Sequence, residues 1–410
     1  MSHQTNPQVV IIGAGPAGMM LAYQLVTNGV PVRVLERHPD FEREFRGELL
    51  QPASLAPLEK LGLLPLLVER KAARPNVERR MFVGHSRRVM VPGGKERGSL
   101  ISQAGFLQVL HELCGRFPHY RLDFGTTVLG TIRDNGKVVA LKTRREGSEG
   151  RIDGDVFVDC SGRNSGLRKD VGLQVEATQV PADVVWLRFD FSDAPEALPD
   201  GVDVHMFGKG VVAVFFPTTR SRLQVAYSAP GDLGSLRKNL PELRRQLLPV
   251  VPAKLRPHLE AKLDERTESQ FLRVVVDKLE RWYVPGLLFL GDAAHTMSPS
   301  GGQGLNLALR DSMVAANHML DAIRTGQPVD EQVFQKIEAE RRPEADMIQA
   351  MQTRVHRMVM APMFVEHLMF TVLGVVLKLS KKASQGGPGG PLVEPRYGVP
   401  VSQLPGPGAS

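Results

Sequence analysis

The chain has 410 residues, of which 42% are hydrophobic and 23% are charged, and its formal net charge is +7. This composition excludes a disordered or fibrous chain and indicates a soluble globular protein of roughly two or three domains. Aromatic residues make up only 6%, and no nucleic-acid motif accompanies the basic residues, so no nucleic-acid partner is expected. Two cysteines cannot form a disulfide framework and no signal peptide is visible, so a cytoplasmic location is predicted.

The chain begins with an apolar run at 9–12, the sequence GAGPAG, a helical pattern and a second apolar run that ends in Glu36. This order predicts a βαβ unit whose glycine-rich turn approaches a nucleotide pyrophosphate at a helix N-terminus. An acid at the end of the second strand accepts hydrogen bonds from ribose hydroxyls, which favours the ADP half of FAD or NAD. The predicted nucleotide-binding residues of this unit are Gly13, Gly15, Pro16, Ala17, Gly18, Glu36 and Arg37.

Further along the chain, helical and β patterns alternate before a buried, apolar strand pattern appears again. Helices are predicted at 52–67, 106–117, 236–263, 305–323 and 333–356, a hairpin at 79–91, a meander at 122–144, buried strands at 156–159 and 287–290, and a strand-rich block at 186–227. The strand-rich block interrupts the buried strands, so we expect one nucleotide-binding domain built from discontinuous segments around an inserted sheet domain. The fold class is therefore α/β, or α+β overall, with a Rossmann-like domain.

The predicted boundaries follow from this order. The nucleotide-binding domain takes 1–75, 98–177 and 281–350, the inserted β-sheet domain takes 76–97 and 178–280, and C-terminal helices take 351–384. Residues 385–410 are rich in Gly and Pro, and this composition predicts a disordered tail.

A second glycine-rich stretch, GDAAHTMSPSGGQGLNLALRD, follows the last buried strand at 291–311. Asp292 can hold a sugar-like hydroxyl by a charge-assisted hydrogen bond. The helix that follows directs its N-terminus at negative charge, such as the pyrimidine edge of a reduced flavin. The alternative interpretation is a glycine-rich loop that caps an ordinary helix.

Three motifs, namely 13–18 with Glu36, VDCSGRNSGLR at 158–168 and the stretch at 291–311, together resemble the FAD-dependent aromatic monooxygenases of the para-hydroxybenzoate hydroxylase-like group. The resemblance in order and spacing covers about residues 9 to 350. It implies that one FAD spans both glycine-rich loops. By position, it implies roles in FAD binding for Arg46, Gln103, Val128, Asp292, Pro299, Gly302, Gly304, Leu305 and Asn306. His295 is either a structural hydrogen-bonding residue or a proton shuttle.

The resemblance also implies an activity. NADH or NADPH would reduce the flavin, and O₂ would give a flavin C4a-hydroperoxide that hydroxylates or epoxidises a phenol, quinol or quinolone in secondary-metabolite biosynthesis. Arg46, through its charge, and the backbone at Pro299 are the expected catalytic groups. The apolar stretch VVAVFF favours a lipophilic aromatic substrate, and no metal site is predicted.

One departure from the family pattern leaves two alternatives open. Ser161 precedes Gly162 where hydroxylases usually carry an acid, and the form DCSG is more similar to flavin-dependent halogenases and isoprenoid-type reductases. No W-x-W-x-I-P string typical of halogenases is present.

Substrate contacts are predicted in the inserted sheet, although each candidate could instead be ordinary sheet surface or core. The candidates are Arg188, His205, Phe216 and Tyr227. The apolar segment 361–382 with its basic end could contact a membrane peripherally, or pack over the substrate domain or a partner, and the protein is expected to be a monomer or homodimer.

Overall fold

The computed structural model describes residues 6–42, 49–85, 87–89, 97–178, 183–362 and 392–406. The helices are α1 (Pro16–Val26), α2 (Pro52–Lys60), α3 (Leu63–Glu69), α4 (Gln103–Cys114), α5 (Leu167–Asp170), α6 (Leu233–Leu236), α7 (Leu240–Leu247), α8 (Arg256–Lys262), α9 (Gln303–Arg324) and α10 (Glu331–Val359). Within this described part, no helix has the length and hydrophobicity that crossing a membrane requires.

The central sheet has six strands in the order β20-β21-β12-β1-β2-β8. They are β1 (Val9–Ile12), β2 (Val32–Leu35), β8 (Tyr120–Asp123), β12 (Val156–Asp159), β20 (Tyr283–Val284) and β21 (Leu287–Phe289). The pairs from β8 to β21 are parallel, and only β20 runs antiparallel to its neighbour. The predicted α/β class with buried parallel strands from both ends of the chain is confirmed.

Both faces of the central sheet are covered, which explains why its strands read as continuous apolar runs. Val9 and Ile11 face a core that contains α1, α4 and α9. Val10 and Ile12 face a second core beneath the sheet β11-β10-β9 and α10. This second layer comprises β9 (Thr126–Asp134), β10 (Lys137–Arg145) and β11 (Ser148–Asp153).

The second large sheet has seven strands in the order β18-β14-β17-β16-β15-β5-β6. They are β5 (Arg79–Val83), β6 (Arg87–Val89), β14 (Val184–Asp190), β15 (Val202–Met206), β16 (Val212–Pro217), β17 (Arg222–Ser228) and β18 (Glu268–Leu272). Its back face packs against α6, α7 and α8. We call the opposite face, which carries Trp186, Val214 and Phe216, the front face.

Two small sheets join the large ones. One contains β3 (Leu49–Leu50), β7 (Gly98–Ile101) and β4 (Ala73–Val77), and the other contains β13 (Val175–Thr178), β19 (Val276–Leu279) and β22 (His295–Thr296). Leu49 and Leu100 of the first pack against Phe216 on the front face. The front face is therefore turned towards the nucleotide-binding part of the chain, although the exact domain boundaries stay a prediction.

One local expectation was incomplete. The helical region predicted at 236–263 is divided into α7 and α8, because Pro249 and Pro252 cannot donate helical N–H bonds. Within the predicted meander at 122–144, a tight turn with Asn135 and Gly136 at positive φ joins β9 to β10.

The tail prediction was wrong for residues 392–406, which lie against the central domain. The Tyr23 hydroxyl donates to the Val399 carbonyl at 2.7 Å, and the Val401 amide donates to the Leu61 carbonyl at 2.9 Å. The Arg324 guanidinium lies 4.2 Å from the Tyr397 ring centroid. Glycine and proline prevent a helix here, but the apolar side chains between them still anchor the segment to the core.

Candidate functional site

The first glycine-rich loop connects β1 to α1 and is tightly packed. Gly13 has a φ of +97°, and a Cβ atom there would lie 2.6 Å from the Cys160 carbonyl oxygen. A Cβ atom at Gly18 would lie 2.0 Å from the Gly13 carbonyl oxygen. Gly15 caps α1 without a side-chain hydrogen bond, and Pro16 occupies the first turn. Amide groups at this helix N-terminus can therefore face an anion.

Glu36 holds this loop. Its carboxylate accepts hydrogen bonds from the amides of Ala14 at 2.8 Å and His38 at 3.0 Å, and the side chain is buried. An acid in this position, at the end of the second strand of a βαβ unit, is the group that holds ribose hydroxyls in nucleotide-binding domains. Arg37 is exposed, and its Nε contacts His38 at 3.2 Å.

The middle motif joins the two glycine-rich loops. The Asp159 carboxylate accepts from the Ser161 amide at 2.8 Å and from the Ser165 hydroxyl, and burial raises the pKa of Asp159. Arg168 donates from Nε to the Ala293 carbonyl at 2.7 Å and forms a buried ion pair with Asp277 at 3.0 Å. Arg168 therefore fixes the turn after β21 that carries Asp292.

The two glycine-rich loops meet in space. A Cβ atom at Gly291, where φ is +58°, would lie 3.5 Å from the Cβ of Ala17 in the first loop. The Asp292 carboxylate is close to the start of α9, since a Cβ atom at Gly304 would lie 3.7 Å from Asp292 Oδ1. The N-termini of α1 and α9 therefore lie next to each other.

The backbone before α9 is held by side chains, of which the first belongs to α9 itself. Gly301 and Gly302 have φ values of +80° and +64°, and α9 has no side-chain cap. The Asn306 side chain accepts from the Gln51 amide at 2.8 Å and donates to the Gly302 carbonyl at 2.8 Å. Asn306 and Leu305 lie in the first turn of α9, where helical amides have no partner within the helix.

Two more side chains reach the same peptide. Gln51 Nε2 donates to the Gly301 carbonyl at 3.1 Å, and Arg79 Nη1 of the seven-stranded sheet donates to it at 3.3 Å. Arg79 stands on the front face in register with Val202. Neither residue lies in a glycine-rich motif, so no local sequence pattern predicts their contact with this loop.

The residues that flank Pro299 are held by α10. Gln352 accepts from the Ser298 amide at 3.1 Å and donates to the carbonyls of Ser298 at 2.9 Å and Ser300 at 2.8 Å. His356 Nε2 lies 2.8 Å from the Ser298 hydroxyl and 3.2 Å from the Ser300 hydroxyl. We call Gln352 and His356 the α10 clamp.

His295 contributes to a buried charge network and not to the loop surface. Its Nε2 lies 2.7 Å from Asp311 Oδ2, and Arg341 Nε donates to Asp311 Oδ1 at 2.8 Å. Although burial opposes ionisation, His295 and Arg341 lower the pKa of Asp311 to about 2. This geometry favours the structural interpretation of His295.

The structure separates the four substrate candidates. Arg188 and Phe216 point to the front face, where Phe216 stacks on Trp186 at 5.5 Å and Arg188 forms an ion pair with Glu268 at 3.0 Å. Tyr227 lies in the core of the back face. His205 also points to the back, with Nδ1 2.9 Å from the Gly84 carbonyl oxygen. Because successive side chains of a strand point to opposite faces, His205 lies on the back face and Phe216 on the front face. These two side chains therefore cannot line the same pocket.

The remaining candidates are spread over the central domain. Gln103 is the buried first residue of α4, and Val128 in β9 packs near Ile12 and Leu35. Arg46 and most of 361–382 lie outside the described residues.

Three comparisons with known proteins bear on this site. The model of a family described as an FAD binding domain matches residues 6–352. A 6-methylpretetramide 4-monooxygenase of Streptomyces rimosus is 29% identical over 364 residues, which cover 85% of this chain and 84% of that protein. Squalene epoxidase 3 of Arabidopsis thaliana is 27% identical over 76% of this chain, which spans only 59% of that relative's length. A solved structure of a probable FAD-dependent monooxygenase from Pseudomonas aeruginosa matches 90% of this chain and 100% of its own, with a TM-score of 0.75 and 21% identity.

Proposed function

Since the chain belongs to the FAD-binding domain family and is an FAD-dependent monooxygenase, we propose that it oxygenates a lipophilic, electron-rich aromatic compound of the phenol, quinol or quinolone type. The relatives named for 6-methylpretetramide and for squalene support a bulky organic substrate. NADH or NADPH is the proposed reductant and O₂ the second substrate.

The proximity of Ala17 and Gly291 carries the proposal. The two glycine-rich loops are so close that a Cβ atom at Gly291 would lie 3.5 Å from the Cβ of Ala17, and each loop leads into a helix N-terminus. This arrangement suits the two ends of one long anionic cofactor. The residues fit FAD on three further counts. Glu36 is a buried carboxylate that follows the second strand, where nucleotide-binding βαβ units hold ribose hydroxyls. Asp292 faces the start of α9, and a Cβ atom at Gly13 or Gly18 would collide with backbone.

Bound FAD supplies the electron transfer and the activation of oxygen. The protein supplies binding, orientation and the exclusion of water. In our proposal Glu36 holds the adenosine ribose, the N-terminus of α1 faces the pyrophosphate, and Asp292 holds the ribityl chain. The amides of Leu305 and Asn306 would stabilise negative charge at the flavin end of the cofactor. Pro299 would border the reacting ring.

The front face is the proposed roof of the substrate site. Its centre is apolar, because Trp186, Val214 and Phe216 pack in one hydrophobic cluster there. Arg79 reaches from this face to the Gly301 carbonyl at 3.3 Å, so the face borders the loop before α9. An apolar roof excludes water and suits a lipophilic ring. Arg188 is paired with Glu268 and adds no free charge to it.

We extend the proposal to the organisation of the chain. The segments 1–75, 98–177 and 281–350 would form the FAD domain, and 76–97 and 178–280 the substrate domain. We also propose that the enzyme is cytoplasmic and works as a monomer or homodimer.

The test is an anaerobic stopped-flow measurement of the purified yellow protein with NADH and NADPH, with and without a panel of phenols and quinolones. Direct reduction that a panel member accelerates, followed by incorporation of one oxygen atom after an O₂ pulse, is the expected result. Reduction without any oxygenated product from any panel member would contradict the proposed substrate class.

One observation keeps a second candidate in view. Ser161 is exposed and stands where family hydroxylases usually carry an acid, so the reduction step by NADH or NADPH is the one that distinguishes the candidates. If neither nucleotide reduces the protein, but flavin reduced by a separate reductase supports halide incorporation, the chain is a halogenase. Reduction of a lipid double bond without O₂ would instead indicate an isoprenoid-type reductase.

A further inference from the structure

Two side chains of α10 hold the segment Ser298–Ser300 through several contacts with its backbone and hydroxyl groups. Gln352 bonds to three backbone groups of Ser298 and Ser300 at 2.8 to 3.1 Å, and one carboxamide therefore fixes the peptide on both sides of Pro299. His356 Nε2 lies within 3.2 Å of both serine hydroxyls. Gln352 and Ser298 are both almost completely buried, so these bonds are protected from water.

The clamp stands on a helix end that also contacts the seven-stranded sheet. Three residues after His356, the Val359 carbonyl accepts from the Gly210 amide at 2.9 Å, and the Ala361 carbonyl accepts from the Lys209 amide at 2.8 Å. Met358 and Val359 pack against the front-face cluster of Val83 and Met206. One rigid turn of helix therefore touches both the loop at Pro299 and the turn between β15 and β16.

We infer that Gln352 and His356 are positioning residues that set the distance between the loop at Pro299 and the substrate sheet. The inference rests on the proposed function, because it assumes that Pro299 borders the reacting ring of FAD. A loop released from the clamp keeps the bonds of Gln51 and Arg79 to the Gly301 carbonyl but loses those that fix the backbone on both sides of Pro299. Sub-ångström placement of this kind is what oxygen transfer to a second molecule demands.

The direct test compares His356→Leu and Gln352→Leu with the wild-type holoenzyme in two measurements that need no substrate. The first is the FAD dissociation constant, followed by flavin fluorescence. The second is the rate at which dithionite-reduced holoenzyme is reoxidised by O₂. Gln352→Leu removes three hydrogen bonds that hold the loop in place, so FAD binding must then also order the loop, and we expect the dissociation constant to rise by up to about 10-fold. His356→Leu is expected to raise it less and to change the reoxidation rate severalfold.

Two controls separate positioning from general packing. His356→Gln keeps a hydrogen-bonding group near the serine hydroxyls and is expected to recover most of the wild-type values. His318→Leu removes another histidine that bridges α9 and α10, through Glu340 at 2.7 Å, far from the loop. It is expected to leave both measurements unchanged. The third readout is the fraction of consumed NAD(P)H that appears as H₂O₂, which is expected to rise in the two leucine variants when a substrate is present.

The outcomes are distinct from those of the proposed function. Wild-type affinity and reoxidation in both leucine variants would overturn the inference, and so would an equal loss in His318→Leu. If NADH and NADPH fail to reduce the protein but the clamp variants alter FAD affinity and reoxidation, the proposed reductant is wrong. The positioning role of Gln352 and His356 is then still supported.

Discussion

The two glycine-rich loops do the same kind of work but are built in opposite ways. The first, at Gly13–Gly18, is fixed mainly by close backbone contacts with its own carbonyl groups and the Cys160 peptide, and in addition by the Glu36 carboxylate of the same βαβ unit. The second, at 298–304, is fixed by side chains from three distant elements, of which Gln51, Arg79 and Gln352 are examples.

This difference shows which part of a cofactor site can be recognised from the local sequence. Backbone packing tolerates only glycine, so the first loop leaves a motif that a single sequence reveals. Side-chain support can come from any element that the fold brings near, so it leaves no local pattern. We expect a single substitution in the first loop to abolish FAD binding. Single substitutions around the second loop are expected to weaken FAD binding by degrees.

The largest effect is expected at Gly18. Gly18→Ala places a Cβ atom 2.0 Å from the Gly13 carbonyl oxygen, which is backbone and cannot rotate away. We expect loss of FAD from the purified protein and a large fall in melting temperature, measured by flavin absorbance per chain and by thermal unfolding. Gly150→Ala is the matched control, since its nearest neighbour would be Thr143 Oγ1 at 3.4 Å. A yellow, stable Gly18→Ala protein would break the contrast between the loops.

The sequence predicted most of the fold for the same physical reason. The apolar runs of β1, β2, β12 and β21 are buried on both faces of a parallel sheet, and such strands are visible without long-range information. Proline breaks at Pro249 and Pro252 were visible too, but were not used. The tail was misjudged because glycine and proline content outweighed a few anchoring residues such as Tyr397.

The candidate site was predictable only in part. The motifs located Glu36, Asp292 and the starts of α1 and α9. The motif at 291–311 even contained Asp311, but a sequence does not show that Arg341 will meet it from another helix. The sequence could not sort the four substrate candidates, because one residue of register decides whether a side chain points to the front face or to the helices behind the sheet.

The second prediction concerns the support beneath the second loop. Asp311→Asn removes a buried charge that His295 and Arg341 contact at 2.7 and 2.8 Å, and it leaves Arg341 without that carboxylate. Loss of one partner of a buried pair costs about 3–5 kcal/mol, and we expect a fall of that order in the free energy of unfolding. Asp193→Asn, which removes an exposed partner of Lys262, should leave denaturant unfolding unchanged.

The pH dependence of stability sharpens this assignment. The pKa of Asp311 in the folded chain is about 2, below its ordinary value of 3.8. A lowered pKa gives stability that is fully present above pH 4 and is lost as the pH falls towards 2. Melting temperatures measured across that window should fall more steeply for the wild type than for Asp311→Asn. Parallel slopes would contradict the lowered pKa.

The third prediction tests whether a strand of the substrate sheet supports the second loop. Arg79→Leu removes the bond to the Gly301 carbonyl, and we expect the FAD dissociation constant to rise up to about 10-fold, measured by flavin fluorescence. The neighbouring Arg80 points to the back face and pairs with Asp203 at 2.6 Å. Arg80→Leu is therefore expected to lower stability without changing FAD affinity. Equal losses of affinity in both variants would mean that the sheet acts only through its folding.

The smallest effect is expected on the front face, and it decides which side of the sheet holds the substrate. Phe216→Leu removes part of the ring surface that stacks on Trp186 at 5.5 Å, and a change of this size in an apolar pocket shifts KM by roughly 3- to 10-fold. The measurement is KM for a phenol that accelerates NAD(P)H oxidation. Tyr227→Phe removes only a 3.4 Å contact with Gln246 on the back face, and should leave KM as it is. If Tyr227→Phe changes KM and Phe216→Leu does not, the substrate lies on the helical side of the sheet, and the front face owes its apolar character to packing against β3 and β7 alone.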